Sequence, residues 1–235
     1  ADGLINQYAL LTRKVFESLP NCKVVSRYGV GVDSVDLKAA TGLGIIVANV
    51  PYYCIDEVSN QTIAMILTLI RKTTFFDRKV KSNQWDFHLG VPIYRIHGKI
   101  LGLIGSGRIG LEVAKKISAF GVKVIAFDPY LQKAGEGIEL TDFDTVLKKS
   151  DFISIHCPLN ESTHHLIGEQ AFKKMEKTPI LINTSRGPIV DEEALIQALA
   201  EGRVSGAGLD VLEKEPPDPQ SPLLKMENVI LSPHV

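Results

Sequence analysis

The stretch KILGLIGSGRIGLEVAKKISAFGVKVIAFD (residues 99–128) contains the pattern that decides the fold. It opens with a compact apolar run that is typical of a buried strand, and a glycine-rich turn follows directly. Apolar residues then recur at helical spacing between Ile109 and Phe120, and Gly121 marks the end of that helix. A second apolar run, 122–128, predicts the next strand. The order of strand, turn, helix and strand is that of a parallel βαβ unit.

Three glycines in this unit have the spacing of a dinucleotide-binding turn. Gly105 is suited to the tight turn, Gly107 to close approach of a pyrophosphate, and Gly110 to helix packing on the strand. Asp128 ends the second strand, where a carboxylate can accept hydrogen bonds from both ribose hydroxyls and would repel a 2′-phosphate. The alternative is that Asp128 only caps the turn before Pro129. Because all these features occur together, we predict a dinucleotide site that favours NAD over NADP.

The same alternation of apolar runs and helical patterns extends along the chain. It predicts an α/β fold, a Rossmann-type doubly wound parallel sheet with a smaller α/β domain before it. Further strands are predicted at 22–29, 44–50, 152–157, 179–185, 204–211 and 229–232. Further helices are predicted at 12–18, 34–41, 142–149, 168–175 and 191–201. We place a partial substrate domain at 1–52 and an NAD-binding domain at 53–235, with one long or broken interdomain helix at 56–85.

Composition narrows the class of protein. The 235 residues have a net charge of −1, which gives no electrostatic reason to expect nucleic acid or anionic membrane as a partner. Apolar stretches are too short to span a bilayer. Cys22, Cys54 and Cys157 form no CxxC pair, which argues against a disulfide framework or zinc site and favours a cytoplasmic location. His164 and His165 lie in a polar loop with no acid or cysteine at ligand spacing, so we predict no metal site.

Three residue types suited to catalysis follow separate predicted strands. Arg186, Glu215 and His234 each come just after a strand, and ligands of open parallel sheets bind at the carboxyl ends of the strands. An arginine can grip a carboxylate bidentately, a histidine can move a proton to or from a carbonyl oxygen, and a nearby glutamate favours protonated imidazole. Taken singly, they have plainer interpretations: a surface charge, an acid in a proline-rich turn and a tail residue. Together they indicate hydride transfer on a 2-keto acid.

Several motifs resemble, in order and spacing, the D-isomer-specific 2-hydroxyacid dehydrogenase family. The resemblance covers essentially the whole chain through RYGVGVDSVD, GLIGSGRIG, HCPL, INTSRGPIVDEEAL, GLDVLEKEPP and SPH. Two longer stretches are similar to the branch that contains phosphoglycerate dehydrogenases and C-terminal-binding-protein-like members: NVPYYCIDEVSNQTIAMILTLIRK and WDFHLGVPIYRIHGKILGLIG. The resemblance implies an NAD-dependent D-2-hydroxyacid dehydrogenase whose smaller domain is flavodoxin-like and truncated.

The resemblance also implies roles for individual residues. Arg186 would bind the substrate carboxylate, and His234 would act as acid and base with Glu215 as its partner. The backbone amides of Val30 and Gly31 would form a second carboxylate cradle, and Arg27 would line the same pocket. The residues placed around NAD are Thr62, Gly105, Gly107, Arg108, Ile109, Gly110, Asp128, Cys157, Thr184, Ser185, Arg186 and Asp210. For Thr62 and Cys157 the competing interpretation is plain packing.

Substrate and assembly are left more open by the sequence. The substrate is expected to be a D-2-hydroxy or 2-keto acid, and 3-phosphoglycerate is one candidate because Arg27 suits an anionic side group. Asn60-Gln61 replaces an acid–His pair common in this branch, which leaves the fine preference undecided. The resemblance implies a homodimer formed through helix 56–85 and the arm around Trp85, and chain ends shorter than those of the family. An alternative from another class is an NAD(H)-responsive, corepressor-like interaction protein.

Overall fold

The computed structural model describes residues 1–235 and divides them into two compact units, Ala1–Ile55 and Asp56–Val235. The division lies close to the predicted domain boundary between residues 52 and 53. The assignment of the first unit to substrate binding remains a prediction.

The first unit contains a small parallel sheet with two short helices. Its strands are β1 (Gly3–Asn6), β2 (Val24–Arg27) and β3 (Ile46–Ala48), paired in that order, and its helices are α1 (Arg13–Glu17) and α2 (Leu37–Gly42). Phe16, Val25 and Ala39 are almost fully buried in its core. Sequence reasoning missed β1, because only Leu4 and Ile5 form an apolar run there and Ile5 is 84% exposed.

The second unit is built on a seven-stranded sheet in which every pairing is parallel. Its strands are β4 (Ile100–Ile104), β5 (Lys123–Phe127), β6 (Ile138–Leu140), β7 (Phe152–Ile155), β8 (Ile180–Asn183), β9 (Gly206–Leu209) and β10 (Val229–Leu231). They are ordered β10-β9-β8-β7-β4-β5-β6, so the chain steps outward from β4 and then returns to its other side at β7. The strand order therefore reverses between β4 and β7, and doubly wound proteins bind ligands at such a point.

Helices surround this sheet, and their bounds follow the predicted pattern with one break. They are α3 (Ile55–Arg71), α4 (Thr73–Lys81), α5 (Arg108–Ser118), α6 (Phe143–Lys149), α7 (Glu169–Lys174) and α8 (Glu192–Ala200). The segment 56–85 contains two helices because Lys72 adopts a left-handed conformation with φ of 53°. None of the helices is both long and apolar enough to cross a bilayer.

Two apolar clusters show that helices cover both faces of the large sheet. Leu103 packs in a cluster with residues of α3 and α5, such as Ile66 and Val113. The next residue of β4, Ile104, packs in the other cluster with Leu147 of α6. Adjacent strand residues point to opposite faces, so the two clusters lie on opposite sides of the sheet. The predicted Rossmann-type α/β fold is confirmed.

Candidate active site

The glycine turn between β4 and α5 has the geometry that its sequence predicts. Gly105 has φ of +91°, and a Cβ there would approach the Cys157 backbone nitrogen to 2.7 Å. A Cβ on Gly110 would lie 2.6 Å from the Gly105 carbonyl oxygen, so this glycine lets the helix pack on the turn. Around Gly107 a Cβ would meet nothing within 4 Å. This glycine therefore leaves open space at the N-terminus of α5.

Polar groups around the turn fit a dinucleotide. Helix α5 begins after Gly107 without a side-chain cap, so its first N–H groups can bind an anion. The buried hydroxyl of Ser106 has no hydrogen-bond partner within the chain, which is expected where a ligand completes a site. Asp128 accepts from Ser106 N through Oδ2 and from Tyr130 N through Oδ1, both at 3.0 Å. These bonds cap the turn and orient the carboxylate, and each oxygen retains a lone pair for a ribose hydroxyl.

Two residues predicted near NAD have contacts that packing also explains. The Thr62 hydroxyl donates to Val58 O at 2.9 Å and lies 3.0 Å from the Thr184 hydroxyl. Thr62 is fully buried. Burial raises the pKa of Cys157 to about 11, and the charge of Asp128 contributes to the same shift. The Cys157 thiol is therefore neutral near pH 7, which suits a packing residue and excludes a thiolate nucleophile.

The loop after β8 is held by its own hydrogen bonds. The Asn183 side chain donates to Arg186 O at 2.9 Å and accepts from Ser185 N at 3.1 Å. The Ser185 hydroxyl donates to Cys157 O at 2.6 Å, which ties this loop to the end of β7. Arg186 donates from Nη1 to Ser185 O at 2.7 Å. The backbone that presents Arg186 is thus fixed locally.

The loops after β9 and β10 bring the predicted histidine and glutamate together. His234 Nδ1 lies 2.9 Å from Glu215 Oε2, and the other Glu215 oxygen accepts from Leu212 N at 3.0 Å. His234 has φ of 58° and donates its backbone N–H to Asp210 O at 2.9 Å. Both partners are therefore anchored to backbone as well as to each other.

Asp210 also organises the residues that flank His234. Its Oδ1 accepts from the Ser232 hydroxyl at 2.5 Å and from Val235 N at 3.2 Å. Gln61 Nε2 in turn donates to the Ser232 hydroxyl at 3.0 Å. Sequence reasoning missed Ser232 in this role and noted Gln61 only as a departure from the family pattern. Ser232 stands beside the predicted histidine in the sequence, which is the signal that could have found it.

The predicted substrate residues of the first unit follow β2. Arg27 Nη1 donates to Tyr28 O at 2.9 Å and to Asn6 O at 3.4 Å, so the guanidinium supports its own unit's backbone. The Val30 carbonyl accepts from Asn49 Nδ2 at 2.8 Å, which orders the turn that contains Val30 and Gly31. A substrate role for these residues remains a prediction.

The remaining histidines differ in their surroundings. His156 directly follows β7 and pairs through Nε2 with the Ser154 hydroxyl at 2.8 Å. It retains some solvent exposure, yet burial lowers its pKa to about 4. His165 is not simply solvated, because Nε2 pairs with Glu213 and Nδ1 lies 3.9 Å from Asp191 Oδ2. Sequence reasoning missed these acids because they come from distant parts of the chain.

Comparisons with known proteins agree with this geometry. The NAD binding domain of the D-isomer specific 2-hydroxyacid dehydrogenases matches residues 63–235. A glyoxylate reductase of Thermofilum pendens is 44% identical over 239 residues, covering 96% of this chain and 70% of the relative. A D-3-phosphoglycerate dehydrogenase of Archaeoglobus fulgidus is 43% identical over 225 residues, covering 94% of this chain and 42% of the relative. The Aquifex aeolicus D-lactate dehydrogenase, solved with NAD and lactic acid, superposes with a TM-score of 0.92 at 34% identity, covering 100% of this chain and 76% of that one.

The fold, the glycine turn and these likenesses together establish the class of protein. The chain belongs to the D-isomer specific 2-hydroxyacid dehydrogenase family. It is an NAD-dependent oxidoreductase that acts on 2-hydroxy acids or the corresponding 2-keto acids.

Proposed function

We propose that the protein reduces a small, unphosphorylated 2-keto acid to a D-2-hydroxy acid with NADH, and catalyses the reverse reaction. His234, Glu215 and Arg186 are the proposed catalytic residues. The supporting observation is the His234–Glu215 pair, with Nδ1 and Oε2 2.9 Å apart. It lies in the loops that follow β9 and β10, at the carboxyl edge of the sheet that also holds the glycine turn.

The role of His234 follows from the hydrogen bond between its Nδ1 and Glu215, which leaves Nε2 for the substrate. Bound NADH supplies a hydride to the keto carbon in the reduction, and NAD accepts it in the oxidation. With Nδ1–H directed to Glu215, protonated His234 presents its second N–H at Nε2. Nε2 gives that proton to the carbonyl oxygen in the reduction and takes the hydroxyl proton in the oxidation. Glu215 keeps the imidazole in one orientation and one tautomer throughout.

The substrate carboxylate is proposed to bind Arg186, and the backbone amides of Val30 and Gly31 are proposed separately as substrate-binding groups of the first unit. A guanidinium can hold a carboxylate through two parallel hydrogen bonds and polarise the adjacent carbonyl. The local bonds of Asn183 fix the backbone from which Arg186 extends. Orientation of the keto acid would therefore depend on a rigid strand end and not on a mobile loop.

The choice of an unphosphorylated substrate depends on Arg27. Its Nη1 is already engaged by two backbone carbonyls, those of Tyr28 and Asn6. Binding a phosphate through Nη1 would break those bonds. The glyoxylate reductase likeness supports a small substrate, whereas the phosphoglycerate dehydrogenase likeness supports a phosphorylated one. We favour glyoxylate or hydroxypyruvate over the phosphorylated candidate.

A substrate screen tests this proposal. The loss of NADH absorbance would be followed with glyoxylate, hydroxypyruvate, pyruvate and phosphohydroxypyruvate. We expect the highest kcat/KM for glyoxylate or hydroxypyruvate, and little change for either in Arg27→Lys. A highest kcat/KM for phosphohydroxypyruvate, lost in Arg27→Lys, would overturn the substrate assignment. If the enzyme turned over none of the four 2-keto acids, the proposed catalytic activity would be refuted.

The residues proposed to hold NAD are those predicted from the sequence. They are Thr62, Gly105, Gly107, Arg108, Ile109, Gly110, Asp128, Cys157, Thr184, Ser185, Arg186 and Asp210. The strongest support comes from the turn, where Gly107 leaves open space beside the N-terminus of α5. Asp128→Ala should reduce the preference for NAD over NADP by roughly 10-fold or more, because ribose hydrogen bonds to a charged acceptor are lost. Binding titrations with both cofactors measure this directly.

We also propose a homodimer that buries the arm after α4. Trp85 is 89% exposed and Phe87 is 64% exposed, and such clustered apolar surface is typical of an interface. Sedimentation should show a dimer that Trp85→Glu weakens, and a monomer of the unmutated protein would contradict the proposal. A cytoplasmic location and the corepressor-like alternative remain predictions. NADH-dependent capture of a partner by a protein without turnover would favour that alternative.

A further inference from the structure

Two glutamates of the LEKE stretch, residues 212–215, pair with different histidines. Glu215 pairs with His234 in the proposed catalytic site. Glu213 Oε1 pairs with Nε2 of His165, a residue to which the reaction assigns no part. The second ring nitrogen of His165, Nδ1, lies 3.9 Å from Asp191 Oδ2. Both nitrogens of this imidazole therefore face carboxylates.

Glu213 is also bonded to the start of helix α8. Its Oε2 accepts from Glu192 N at 3.3 Å, and its own N–H donates to Glu192 Oε2 at 3.3 Å. Burial raises the pKa of Glu192, the hydrogen bond from Glu213 N partly opposes this, and the charge of Glu213 adds a smaller increase. An N–H donor beside the Glu213 carboxylate stabilises the arrangement, and His165, between Glu213 and Asp191, provides it. The loop after β9 is thereby tied to α8 and to His165 together.

The backbone of His165 is attached to the loop that contains Arg186. His165 N donates to Pro188 O at 2.8 Å, and Ile167 N donates to Ile189 O at 3.1 Å. A parallel bridge joins Ile167 to Val190 in the same region. His165 therefore connects three loops, those after β7, β8 and β9.

The Arg186 and Glu215 loops are in close contact beside a small cavity. A Cβ on Gly187 would lie 1.9 Å from Leu212 O, so the two backbones are in direct contact with no side chain between them. A small cavity at this junction is lined by Gly187, Glu192 and Glu213 among others. Where backbones meet beside a void, directional hydrogen bonds set their relative orientation.

We propose that His165 and Glu213 form a latch that sets the placement of Glu215 relative to Arg186. The inference rests on the proposed function, because Glu215 and Arg186 are there the partners of the acid and of the substrate carboxylate. His165 and Glu213 are positioning residues: they touch neither reactant and act through the loops that they join. A misplacement on the order of 1 Å at a reacting group can lower the rate about 100-fold. Loss of the latch should therefore affect turnover and keto-acid binding without affecting the glycine turn.

The test uses purified enzyme with NADH and glyoxylate. Glu213→Ala should lower kcat about 10- to 100-fold and raise KM for glyoxylate, while Kd for NADH stays within about 2-fold. His165→Gly should reproduce this, because glycine keeps the left-handed φ of 51° while the ring is removed. Glu213→Gln retains an acceptor for Glu192 N and should recover part of the loss. Lys214→Ala, between the two glutamates, is the matched control and should match the unmutated enzyme.

Hydrogen exchange provides a readout independent of activity. In Glu213→Ala the amides of Glu192 and Leu212 should exchange faster, with protection in β4 and α5 unchanged. If kcat, KM and the amide exchange rates of Glu213→Ala and His165→Gly equal those of the unmutated enzyme, the proposed latch is refuted. An equal loss of NADH affinity and turnover in Glu213→Gln would also overturn it, because general destabilisation would then be the cause. Full turnover in His234→Ala would instead refute the proposed function, which separates the two failures.

Discussion

The two histidine–glutamate pairs of the second unit invite direct comparison. The His234 and Glu215 side chains are 36% and 40% exposed, and those of His165 and Glu213 are 38% and 30% exposed. Exposure and residue type therefore do not separate the proposed catalytic pair from the proposed positioning pair. The second ring nitrogen does: Nδ1 of His165 faces Asp191, whereas Nε2 of His234 bonds to no group of the chain. Only His234 keeps a nitrogen for a reacting proton.

The largest expected effect comes from removing the imidazole with that open nitrogen. His234→Ala should lower kcat roughly 10²–10⁴-fold, the range expected for loss of general acid–base catalysis. NADH affinity, measured by fluorescence titration, should change little because the glycine turn is untouched. Lys214→Ala is again the control, since Lys214 is exposed and lies outside both pairs. Unchanged kcat in His234→Ala would remove the distinction between the pairs.

A third histidine, His156, sharpens the comparison because its partner is a hydroxyl and not a carboxylate. Its pKa in the folded protein is lowered to about 4 from an ordinary 6.5 by burial. The unfolded chain therefore binds a proton in a window where the folded protein does not. The associated stability is present in full above pH 6.5 and is lost as pH falls toward 4, by at most about 3 kcal/mol.

Urea unfolding between pH 4 and 7 measures this dependence. His156→Gln should flatten it, because the replacement does not titrate. Asp151 does not contribute to the change in stability over this pH range. Burial alone would raise its pKa, but hydrogen bonds from Ile100 N, Lys177 and Lys99 hold the pKa below its ordinary value of 3.8. An equally steep acid loss in His156→Gln would show that another group is responsible.

A smaller effect is expected at the glutamate of the catalytic pair. Glu215→Gln removes the charge and keeps one acceptor oxygen, which can take the place of either the oxygen facing His234 Nδ1 or the one facing Leu212 N. Hydrogen bonds to charged groups contribute about 1.5–3 kcal/mol, so kcat/KM for the keto acid should fall roughly 10- to 100-fold. Steady-state kinetics of Glu215→Gln and His234→Ala, measured side by side, would show whether Glu215→Gln loses less activity. A larger loss for Glu215→Gln would mean that the carboxylate contacts the reactants itself.

The fold was predictable where strand and helix periodicities follow one another closely and are clearly divided by glycines. β4, the glycine turn, α5 and β5 lie within 30 residues of strand and helix periodicity, and their bounds agree within two residues. β6 was missed because Ile138–Leu140 contains only two apolar residues. The break at Lys72 was left open, since a left-handed residue in a charged stretch has no sequence signature. Short edge strands and single backbone reversals are determined by tertiary contacts and not by local propensity.

The candidate site was predictable only as far as the topology of parallel strands allows. Arg186, Glu215 and His234 were predicted because each follows a strand, and parallel strands end at one edge. The link from Gln61 to Ser232 spans 171 residues and that from His165 to Glu213 spans 48, so neither leaves a pattern of spacing in the sequence. The residues proposed to act directly could therefore be predicted from the sequence, while those proposed to hold them in place could not.

The smallest expected effect is on the stability of the second pair. Exposed ion pairs contribute about 0–1 kcal/mol, so a double-mutant cycle of His165→Gly and Glu213→Ala in urea unfolding should give a coupling below about 1 kcal/mol. The same cycle applied to kcat should give a larger coupling, because a positioning pair acts on the transition state and not on the folding equilibrium. A stability coupling as large as the kinetic one would make the pair an ordinary structural contact. The two couplings, measured on the same four proteins, thus decide what distinguishes His165 from His234.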